Sequence, residues 1–485
     1  MVTAPVAVHE THVGIVVLVG DRAYKMKKPV RTGFLDFGTP ELRGAACRRE
    51  VDLNRRLAPD VYLGVSDVLE PDGSAVADHL VVMRRMPADR CLATLVTTGA
   101  PVERHLRGIA RVVAAFHARA DRSVAISADG GPDALRRRWS ANLAELAPFS
   151  GTVLDRDLVA ALDRLATRFL DGREPLLRDR QDLGHIVDGH GDLTAADVFC
   201  LDDGPRVLDC LEFDDHLRHV DVLDDAAFLA MDLERLGRPD LAESFLDAWA
   251  EFSGDHAPPA LRHHYVAYRA VVRAKVACLR HQQGDPSAAA DAVDHATLGL
   301  RHLERGAVRL ALVGGLPGTG KTTIGGALAD RFGAVLLSSD RIRKELAGID
   351  PDHPAPAAYG EGLYTGQQRS ATYRELLRRA GVLLARGESV VLDASWTSRE
   401  HRDAAAELAQ RTGSDLVALR CVTTAATAAA RIAGRPRGMS DATAAVAVAM
   451  AADTDPWPEA TPVRTDGSQD PHEAAAAAWH AGPLR

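Results

Sequence analysis

Residues 315–322 read GLPGTGKT, which fits the pattern G-x-x-x-x-G-K-[ST] at each fixed position. The octapeptide follows an apolar run, VRLALVGG, and precedes a segment predicted to be helical. An apolar run that ends in glycines is typical of a buried parallel strand. Two further strand-like runs, AVLLSSD and ESVVLDASW, alternate with helical segments. The sequence therefore predicts a parallel α/β sheet for the C-terminal part of the chain.

The residue types of this loop suit the binding of a nucleoside triphosphate. Glycines let the backbone N–H groups turn inward around phosphate oxygens, and the following helix start adds its positive dipole end. We expect Lys321 to reach the β- and γ-phosphates and Thr322 to ligate Mg²⁺. The predicted nucleotide-binding residues are Gly315, Leu316, Pro317, Gly318, Thr319, Gly320, Lys321, Thr322 and Thr323.

Two acidic residues are predicted at the same edge of this sheet. Asp340 follows the second strand-like run and Asp393 ends the third, and ligands of such sheets lie at the carboxyl ends of the strands. Asp393 is a candidate Mg²⁺ ligand; the alternative is a strand-end carboxylate that only forms a turn. Asp340 followed by Arg343 resembles the zeta-toxin, small-substrate and polynucleotide kinase branch of the P-loop fold. That resemblance implies that Asp340 engages the acceptor hydroxyl and that Arg343 contacts substrate or phosphate.

The stretch AAARIAGRPRGMSDAT carries Arg431, Arg435 and Arg437 on a predicted helix and its exit. It resembles the lid of these kinases, in which arginines close over the transferred phosphoryl group. Planar guanidinium groups suit that charge. The sequence does not choose among the arginines, and a solvated basic helix end is the alternative.

A chain of 485 residues is too long for one core, so several domains are expected. The first ninety residues read as strands with one helix, and mostly helical segments follow. We predict a kinase-like domain over residues 1–305, with a small lobe at about 1–90 and a helical lobe at about 91–305. A P-loop kinase domain is predicted over residues 306–485. The expected fold class is therefore multidomain α/β, a two-lobed α+β protein-kinase-like fold followed by a parallel α/β sheet.

The stretch HGDLTAADVF, residues 190–199, resembles the catalytic loop of protein-kinase-like phosphotransferases. In that loop the Asp serves as base for the substrate hydroxyl, and an Asn five residues later holds Mg²⁺. Asp192 takes the first position, but Asp197 stands where the pattern has Asn. A carboxylate is a good ligand for Mg²⁺, so Asp197 is a predicted metal ligand. The substitution leaves open whether this site turns over.

The remaining parts of such a site occur in the expected order along the chain. AYKMKKPV supplies a strand lysine, with Lys25 as the candidate and Lys27 on the same strand face, and Glu50 lies on the next helix as its predicted ion-pair partner. The strand-like run RVLDCLEF supplies Asp209 as the second metal ligand. Glu212 and Asp214 are the alternatives to Asp209.

These motifs together resemble bifunctional proteins that join an aminoglycoside-phosphotransferase-like domain to a P-loop ATP-binding domain. The resemblance spans nearly the whole chain and implies ATP as cofactor; it does not imply that an aminoglycoside is the substrate. It also implies that Asp221 and Asp225 support the catalytic loop. A further helical segment places Tyr268, Arg269, Arg273 and Lys275 at helical spacing. They suit either an anionic acceptor or a charged outer face.

Composition limits the classes of binding partner and the compartment expected for this chain. A net charge of -9 disfavours nucleic acid as a general partner. The six cysteines form no CxxC pair, which indicates reduced thiols rather than disulfides or a zinc site. With no membrane-length apolar run and no secretory signal pattern, a cytoplasmic protein without a membrane partner is expected. The sequence indicates no oligomeric state.

Three functions fit these observations. The first is an ATP- and Mg²⁺-dependent bifunctional kinase that phosphorylates small-molecule hydroxyl groups, with Asp192 and Lys321 in separate sites. The second is a regulatory protein whose N-terminal half binds ATP without transferring phosphate, which Asp197 favours. The third is a P-loop half that phosphorylates nucleic-acid ends, which the acidic charge disfavours.

Overall fold

The computed structural model describes residues 6–10, 14–31, 36–350, 353, 360–362, 365–434 and 443–481. The chain forms two compact units. Unit 1 comprises residues 1–162, 178–257 and 262–302, and unit 2 comprises residues 163–177, 258–261 and 303–485. Unit 2 therefore includes two short segments, residues 163–177 and 258–261, that come before its main part in the chain.

Unit 1 begins with a five-stranded antiparallel sheet in the order β1-β2-β3-β5-β4. A turn at Gly20-Asp21 joins β2 to β3, where Val19 pairs with Arg22. The helix α1 begins after Thr39, whose hydroxyl accepts a hydrogen bond from the Leu42 backbone N–H. These elements are β1 (Val6–Glu10), β2 (Gly14–Val19), β3 (Arg22–Lys27), α1 (Pro40–Asn54), β4 (Tyr62–Leu69) and β5 (Val76–Arg84).

The following region is mostly helical, as the sequence predicts. Its buried face is aliphatic and aromatic, with Trp139, Phe228, Phe245 and Trp249 among the side chains almost completely shielded from solvent. Its helices are α2 (Leu92–Thr97), α3 (Glu103–Arg119), α4 (Val124–Gly130), α5 (Pro132–Leu146), α6 (Arg156–Gly172), α7 (Glu174–Asp182), α8 (Val222–Arg235), α9 (Pro239–Ser253), α10 (Pro259–Gln282) and α11 (Ala288–Arg305).

Four short strands between α7 and α8 carry the loops of the candidate site in unit 1. They form two antiparallel pairs, β6 with β9 and β7 with β8. The loop that carries His190, Gly191 and Asp192 (the HGD loop) lies between β6 and β7, so both of its ends are fixed by strand pairing. The strands are β6 (Ile186–Asp188), β7 (Val198–Leu201), β8 (Gly204–Val207) and β9 (His219–Asp221).

Unit 2 is built on a five-stranded parallel sheet in the order β11-β12-β10-β13-β14. The central strand β10 is buried along its whole length, as expected for a parallel sheet covered by helices. The elements are β10 (Arg309–Gly314), α12 (Lys321–Phe332), β11 (Val335–Ser338), α13 (Ser339–Leu346), α14 (Gly366–Ala385), β12 (Val390–Asp393), α15 (Arg399–Arg411), β13 (Asp415–Val422), α16 (Ala425–Ala433), α17 (Ala444–Ala452), β14 (Thr461–Arg464) and α18 (Pro471–His480).

Residues 163–177 take part in the packing of unit 2. Arg168 Nη1 lies 2.6 Å from the buried carboxylate of Asp415. Arg173 is also buried and donates a hydrogen bond to the backbone oxygen of Thr412. Burial lowers the pKa of Arg173 to about 9, so this part of unit 2 holds its charges at an electrostatic cost.

The predicted fold class is confirmed. An antiparallel sheet followed by a helical region forms unit 1, and a parallel sheet with helices forms unit 2. The predicted boundary between residues 305 and 306 stays a prediction. Among the described residues, no helix combines the length and apolar composition needed to cross a bilayer.

Candidate active sites

The glycine-rich loop of unit 2 connects β10 to α12, and the helix begins at Lys321. Gly315, Gly318 and Gly320 have positive φ angles of 137°, 81° and 88°. A Cβ on Gly315 would come within 2.6 Å of the Cys421 backbone oxygen, and one on Gly318 within 2.5 Å of the Ala428 oxygen. Both the backbone conformation and the packing therefore require glycine here.

The side chains at the start of α12 meet the end of β12. Thr322 Oγ1 donates a hydrogen bond to Asp393 Oδ2 at 2.7 Å, and Lys321 Nζ donates to the Leu316 backbone oxygen at 3.1 Å. Asp393 is the last residue of β12 and is buried. A hydroxyl beside a carboxylate is an oxygen pair suited to Mg²⁺, and the Asp393 charge holds it in place. The predicted ligands Thr322 and Asp393 are therefore brought together.

Asp340 and Arg343 of α13 form an ion pair of 2.7 Å. Asp340 is the second residue of this helix and does not lie on β11, which ends at Ser338. Sequence reasoning missed the neighbouring Tyr373 of α14. Its hydroxyl is 3.2 Å from Ser395 Oγ and accepts the Trp396 N–H at 3.0 Å.

A cavity of about 360 Å³ adjoins the glycine-rich loop. It lies where β10, β12 and β13 end, so it occupies the ligand-binding edge of the parallel sheet. Its walls mix hydroxyl groups, one guanidinium group and two buried tryptophans, a lining that offers hydrogen bonds and apolar contact together. Among the lining residues are Leu316, Ser395, Trp396, Thr397, Arg420, Thr423 and Trp457.

Arg431 extends from α16 to the glycine-rich loop. Its guanidinium group donates to the Thr465 backbone oxygen at 2.5 Å, to Thr465 Oγ1 at 3.1 Å and to the Gly318 oxygen at 3.5 Å. Thr465 in turn donates to the Thr319 oxygen at 2.8 Å. Arg431 thus lies beside the predicted phosphate loop. Arg435 and Arg437 fall outside the described residues.

In unit 1, Glu50 binds two lysines of β3. Lys25 Nζ lies 2.9 Å and Lys27 Nζ 2.6 Å from the buried Glu50 carboxylate. Lys25 also lies 2.5 Å from Asp209 Oδ1, and Lys27 pairs with Glu212. Burial alone would lower the pKa of Lys25, but Asp209 and Glu50 raise it well above its ordinary value. Lys25 is therefore charged, with one side facing Asp209.

The prediction that Asp209 lies on a strand is wrong. The strand β8 ends at Val207, and Asp209 has a φ of 62°, a left-handed conformation that is costly for a non-glycine residue. Its backbone N–H donates to the hydroxyl of the buried Tyr62 at 3.2 Å. The turn directs the Asp209 carboxylate toward Lys25. Of the alternatives, Asp214 instead caps a short 3₁₀ helix by accepting the His216 N–H.

The backbone of the HGD loop is bound by Asp225 of α8. The two carboxylate oxygens of Asp225 accept the N–H groups of His190 and Gly191 at 2.8 and 2.9 Å. His117 Nε2 lies 3.0 Å from the same carboxylate. Burial would raise the pKa of Asp225, but these contacts hold it far below its ordinary value. Asp221, the other residue of this pair, caps α8 by accepting the Leu223 N–H.

Asp197 lies near Asp209, and the two carboxylates interact. The desolvated position and the negative charge of Asp209 raise the pKa of Asp197 well above its ordinary value, although Thr194 donates a hydrogen bond to it at 2.6 Å. Asp192 lies on the same loop, where burial raises the pKa and Arg273, 3.7 Å away, opposes the shift. A divalent cation between Asp197 and Asp209 would relieve their repulsion, so both residues fit a Mg²⁺ site.

Of Tyr268, Arg269, Arg273 and Lys275, the first two do not lie on a charged outer face, so that alternative is wrong for them. Tyr268 and Arg269 are buried. Arg269 binds both oxygens of Asp224 at 2.7 and 2.9 Å and donates to the Gly191 oxygen at 3.1 Å. This buried ion pair therefore supports the HGD loop. Only Arg273 of this group lies beside Asp192, and Lys275 pairs with Glu145.

Comparison with known proteins identifies the family to which the chain belongs. A family model described as "AAA domain" matches residues 310–456, which confirms the predicted P-loop family of the C-terminal half. Over 463 residues, the chain is 48% identical to the Mycobacterium tuberculosis protein named "Uncharacterized protein Rv2004c", covering 96% of this chain and 93% of that protein. The chain belongs to the Rv2004c family. Coverage of this extent means that the Rv2004c family carries both units.

Two solved structures show weaker similarity. The "GDP and kanamycin complex of APH(2")-IIia" is 16% identical and covers 63% of this chain and 93% of its own, with a TM-score of 0.40. A "sugar kinase" from Janibacter sp. HTCC2649 is 22% identical and covers 35% of this chain and 92% of its own, with a TM-score of 0.27.

Proposed function

We propose that this member of the Rv2004c family is an ATP- and Mg²⁺-dependent phosphotransferase with two nucleotide sites, one in each unit. Both sites would transfer a phosphoryl group to a hydroxyl of a small molecule. The observation that carries this proposal is that each unit has its own lysine beside its own pair of oxygen ligands. In unit 2 these are Lys321 with Thr322 and Asp393; in unit 1 they are Lys25 with Asp197 and Asp209.

In unit 1, Asp192 would position the acceptor hydroxyl and accept its proton. Its loop is fixed by Asp225 below and by Arg269, which binds the Gly191 oxygen. Phosphoryl transfer depends mainly on positioning and on electrostatic stabilisation. A catalytic loop held by a buried carboxylate and a buried guanidinium group meets the first requirement. Lys25, steadied by Glu50, would meet the second at the phosphates.

In unit 2, Lys321 and the loop N–H groups would hold the β- and γ-phosphates, and Arg431 would stabilise the transferred group. The adjoining cavity of about 360 Å³ has the size of a small-molecule site. A small hydroxylated molecule suits a cavity of this size. Asp340, whose carboxylate Arg343 binds at 2.7 Å, is not among the residues that line the cavity. It would contact the acceptor hydroxyl from beyond the end of β11, the strand next to β12.

One observation favours a regulatory role for unit 1 instead. Lys25 and Asp209 are paired directly at 2.5 Å, so nucleotide and metal must separate them before both can bind phosphate and Mg²⁺. Together with the raised pKa of Asp197, this pair would weaken Mg²⁺–ATP binding relative to a preformed site. Unit 1 would then sense nucleotide without transferring phosphate.

Nucleotide-binding stoichiometry tests the two-site proposal. The full-length protein is titrated calorimetrically with a non-hydrolysable ATP analogue in excess Mg²⁺. We expect two sites, of which Lys321→Ala removes one and Lys25→Ala the other, with Arg411→Ala, at an exposed position of unit 2, as a control that removes neither. A single site that survives Lys25→Ala would contradict nucleotide binding in unit 1.

A further inference from the structure

Two histidines and one aspartate meet in unit 1 outside the ligands assigned above. Asp129 Oδ2 lies 2.8 Å from His216 Nδ1 and 2.7 Å from His219 Nδ1. Among the described residues, this group places one ligand atom from each of three side chains within 4.8 Å of one another. We propose that Asp129, His216 and His219 bind one divalent cation of the zinc class.

The donor set determines which cation fits. Two imidazole nitrogens and one carboxylate oxygen suit Zn²⁺, Co²⁺ or Ni²⁺, whereas Mg²⁺ prefers oxygen ligands alone. Three protein ligands leave a fourth position for water, as in open zinc sites. Metal binding would replace the proton on each Nδ1 by the cation. With metal–ligand bonds of about 2.0–2.1 Å in tetrahedral geometry, each nitrogen–oxygen separation needs to widen by only about half an ångström.

The backbone around the ligands is already fixed. Arg138 donates hydrogen bonds to the backbone oxygens of both His216 and His219. Gly130, next to Asp129, permits a close approach: a Cβ there would lie 2.2 Å from Ile186 of β6 and 3.2 Å from the His219 oxygen. The end of α4 and the start of β9 are thus held together by contacts that do not involve the three ligand side chains. Such preorganisation lowers the cost of assembling a site.

The position of the site gives the cation a structural consequence. His216 and His219 lie in the segment that follows Asp209, and Arg218 between them binds Asp188 of β6 at 2.8 Å and donates to the Leu211 oxygen at 2.9 Å. The Leu211 N–H binds the His190 oxygen at 3.1 Å. A cation would therefore link α4 to the segment that follows Asp209, and this segment contacts the HGD loop through Leu211. Binding to the folded state would stabilise unit 1 by an amount that rises with the logarithm of the free cation concentration above the Kd.

Cobalt titration of the full-length, tag-free protein tests the site. Excess Mg²⁺ is kept present so that carboxylate-only sites are filled. We expect one Co²⁺ per chain, visible d–d absorption of a low-coordinate N/O site, and no near-ultraviolet thiolate band. Zn²⁺ should displace the signal and raise the unfolding temperature of the wild-type protein.

The variants are His216→Ala and His219→Ala, with His79→Ala as the matched control. His79 pairs with Asp67 at 2.8 Å as a single histidine–carboxylate contact. Because 74% of the His216 side chain is exposed, its removal leaves the core intact. We expect at least a tenfold loss of Co²⁺ affinity for both site variants and none for His79→Ala. Unchanged affinity in His216→Ala, or a thiolate band in the wild-type protein, would overturn the assignment.

Discussion

Lys25 Nζ lies 2.5 Å from Asp209 Oδ1, a contact between the third strand of the small sheet and the loop after β8. The ion pair joins the residue expected to hold phosphate to the residue expected to hold Mg²⁺. Since a nucleotide–metal complex carries the opposite charges to each partner, it can replace the pair without leaving either charge uncompensated. In the proposed function, Mg²⁺–ATP would therefore separate Lys25 from Asp209 when it binds.

Replacement of Glu50 should lower both the ATP affinity of this site and the stability of unit 1. Glu50→Gln leaves the ammonium groups of Lys25 and Lys27 without their shared buried counter-charge. We expect a loss of about 3 kcal/mol in the free energy of unfolding and at least a tenfold loss of ATP affinity in unit 1. Denaturant titration and calorimetry measure the two effects. Glu41→Gln, at an exposed position of the same helix, is the control; a similar loss there would remove the specific role of Glu50.

Two substitutions of Asp197 test whether its carboxylate ligates Mg²⁺. Asp197→Asn keeps an oxygen ligand and removes the repulsion by Asp209 that raises the Asp197 pKa. We expect the Asn variant to retain Mg²⁺-dependent ATP binding in unit 1 and Asp197→Ala to lose roughly a hundredfold in Mg²⁺ affinity. Mg²⁺ titration at fixed ATP measures both variants. Equal affinities for the wild-type protein and Asp197→Ala would exclude Asp197 from the metal site.

Asp225 should affect turnover without touching the substrate. Asp225→Asn replaces one of the two acceptor oxygens by an amide NH2 group, so only one of the His190 and Gly191 N–H groups keeps its acceptor. We expect kcat of the Asp192-dependent reaction to fall about a hundredfold, with little change in nucleotide affinity in unit 2. Steady-state kinetics gives the first quantity and nucleotide titration the second. Asp240→Asn, on the surface of α9, should leave kcat unchanged, and an equal loss there would contradict a positioning role.

Acid should destabilise unit 1 through His264. Burial lowers the pKa of His264 from 6.5 to about 3, and its Nε2 accepts the Trp139 indole N–H at 3.0 Å. Because the folded state binds this proton less readily than the unfolded state, stability is lost as pH falls from 6.5 toward 3. One such proton contributes a slope of about 1.4 kcal/mol per pH unit. His264→Gln keeps an acceptor that does not titrate, so denaturant unfolding across this range should show a shallower slope; an identical slope would refute the assignment.

The sequence predicts the P-loop well because its information is local. Glycine positions, lysine and hydroxyl are contiguous, and Thr322 needs only the end of β12 to meet Asp393. The order of motifs likewise predicts the Lys25–Glu50 pair. The first contact follows from the meeting of strand ends at one edge of a parallel sheet, and the second from the order of strand and helix in the small lobe.

Other features depend on contacts that no spacing encodes. RVLDCLEF has the composition of a strand, yet the chain turns at Asp209 because Tyr62, 147 positions earlier, accepts its N–H. Arg269 looks like a surface residue by charge, but Asp224 pairs with it inside unit 1. Tyr373 meets Ser395 and Trp396 only through the packing of α14 on β12. Tertiary partners decide such positions.

One labelling experiment separates phosphoryl transfer by both sites from transfer by unit 2 alone. The pure full-length protein is incubated with γ-labelled ATP, Mg²⁺ and a small-molecule extract, beside Asp192→Ala and Lys321→Ala. We predict that Asp192→Ala abolishes one labelled product and Lys321→Ala a different one. If Asp192→Ala leaves each product unchanged while Lys321→Ala abolishes all labelling, unit 1 is not a phosphotransferase and the two-site account is wrong.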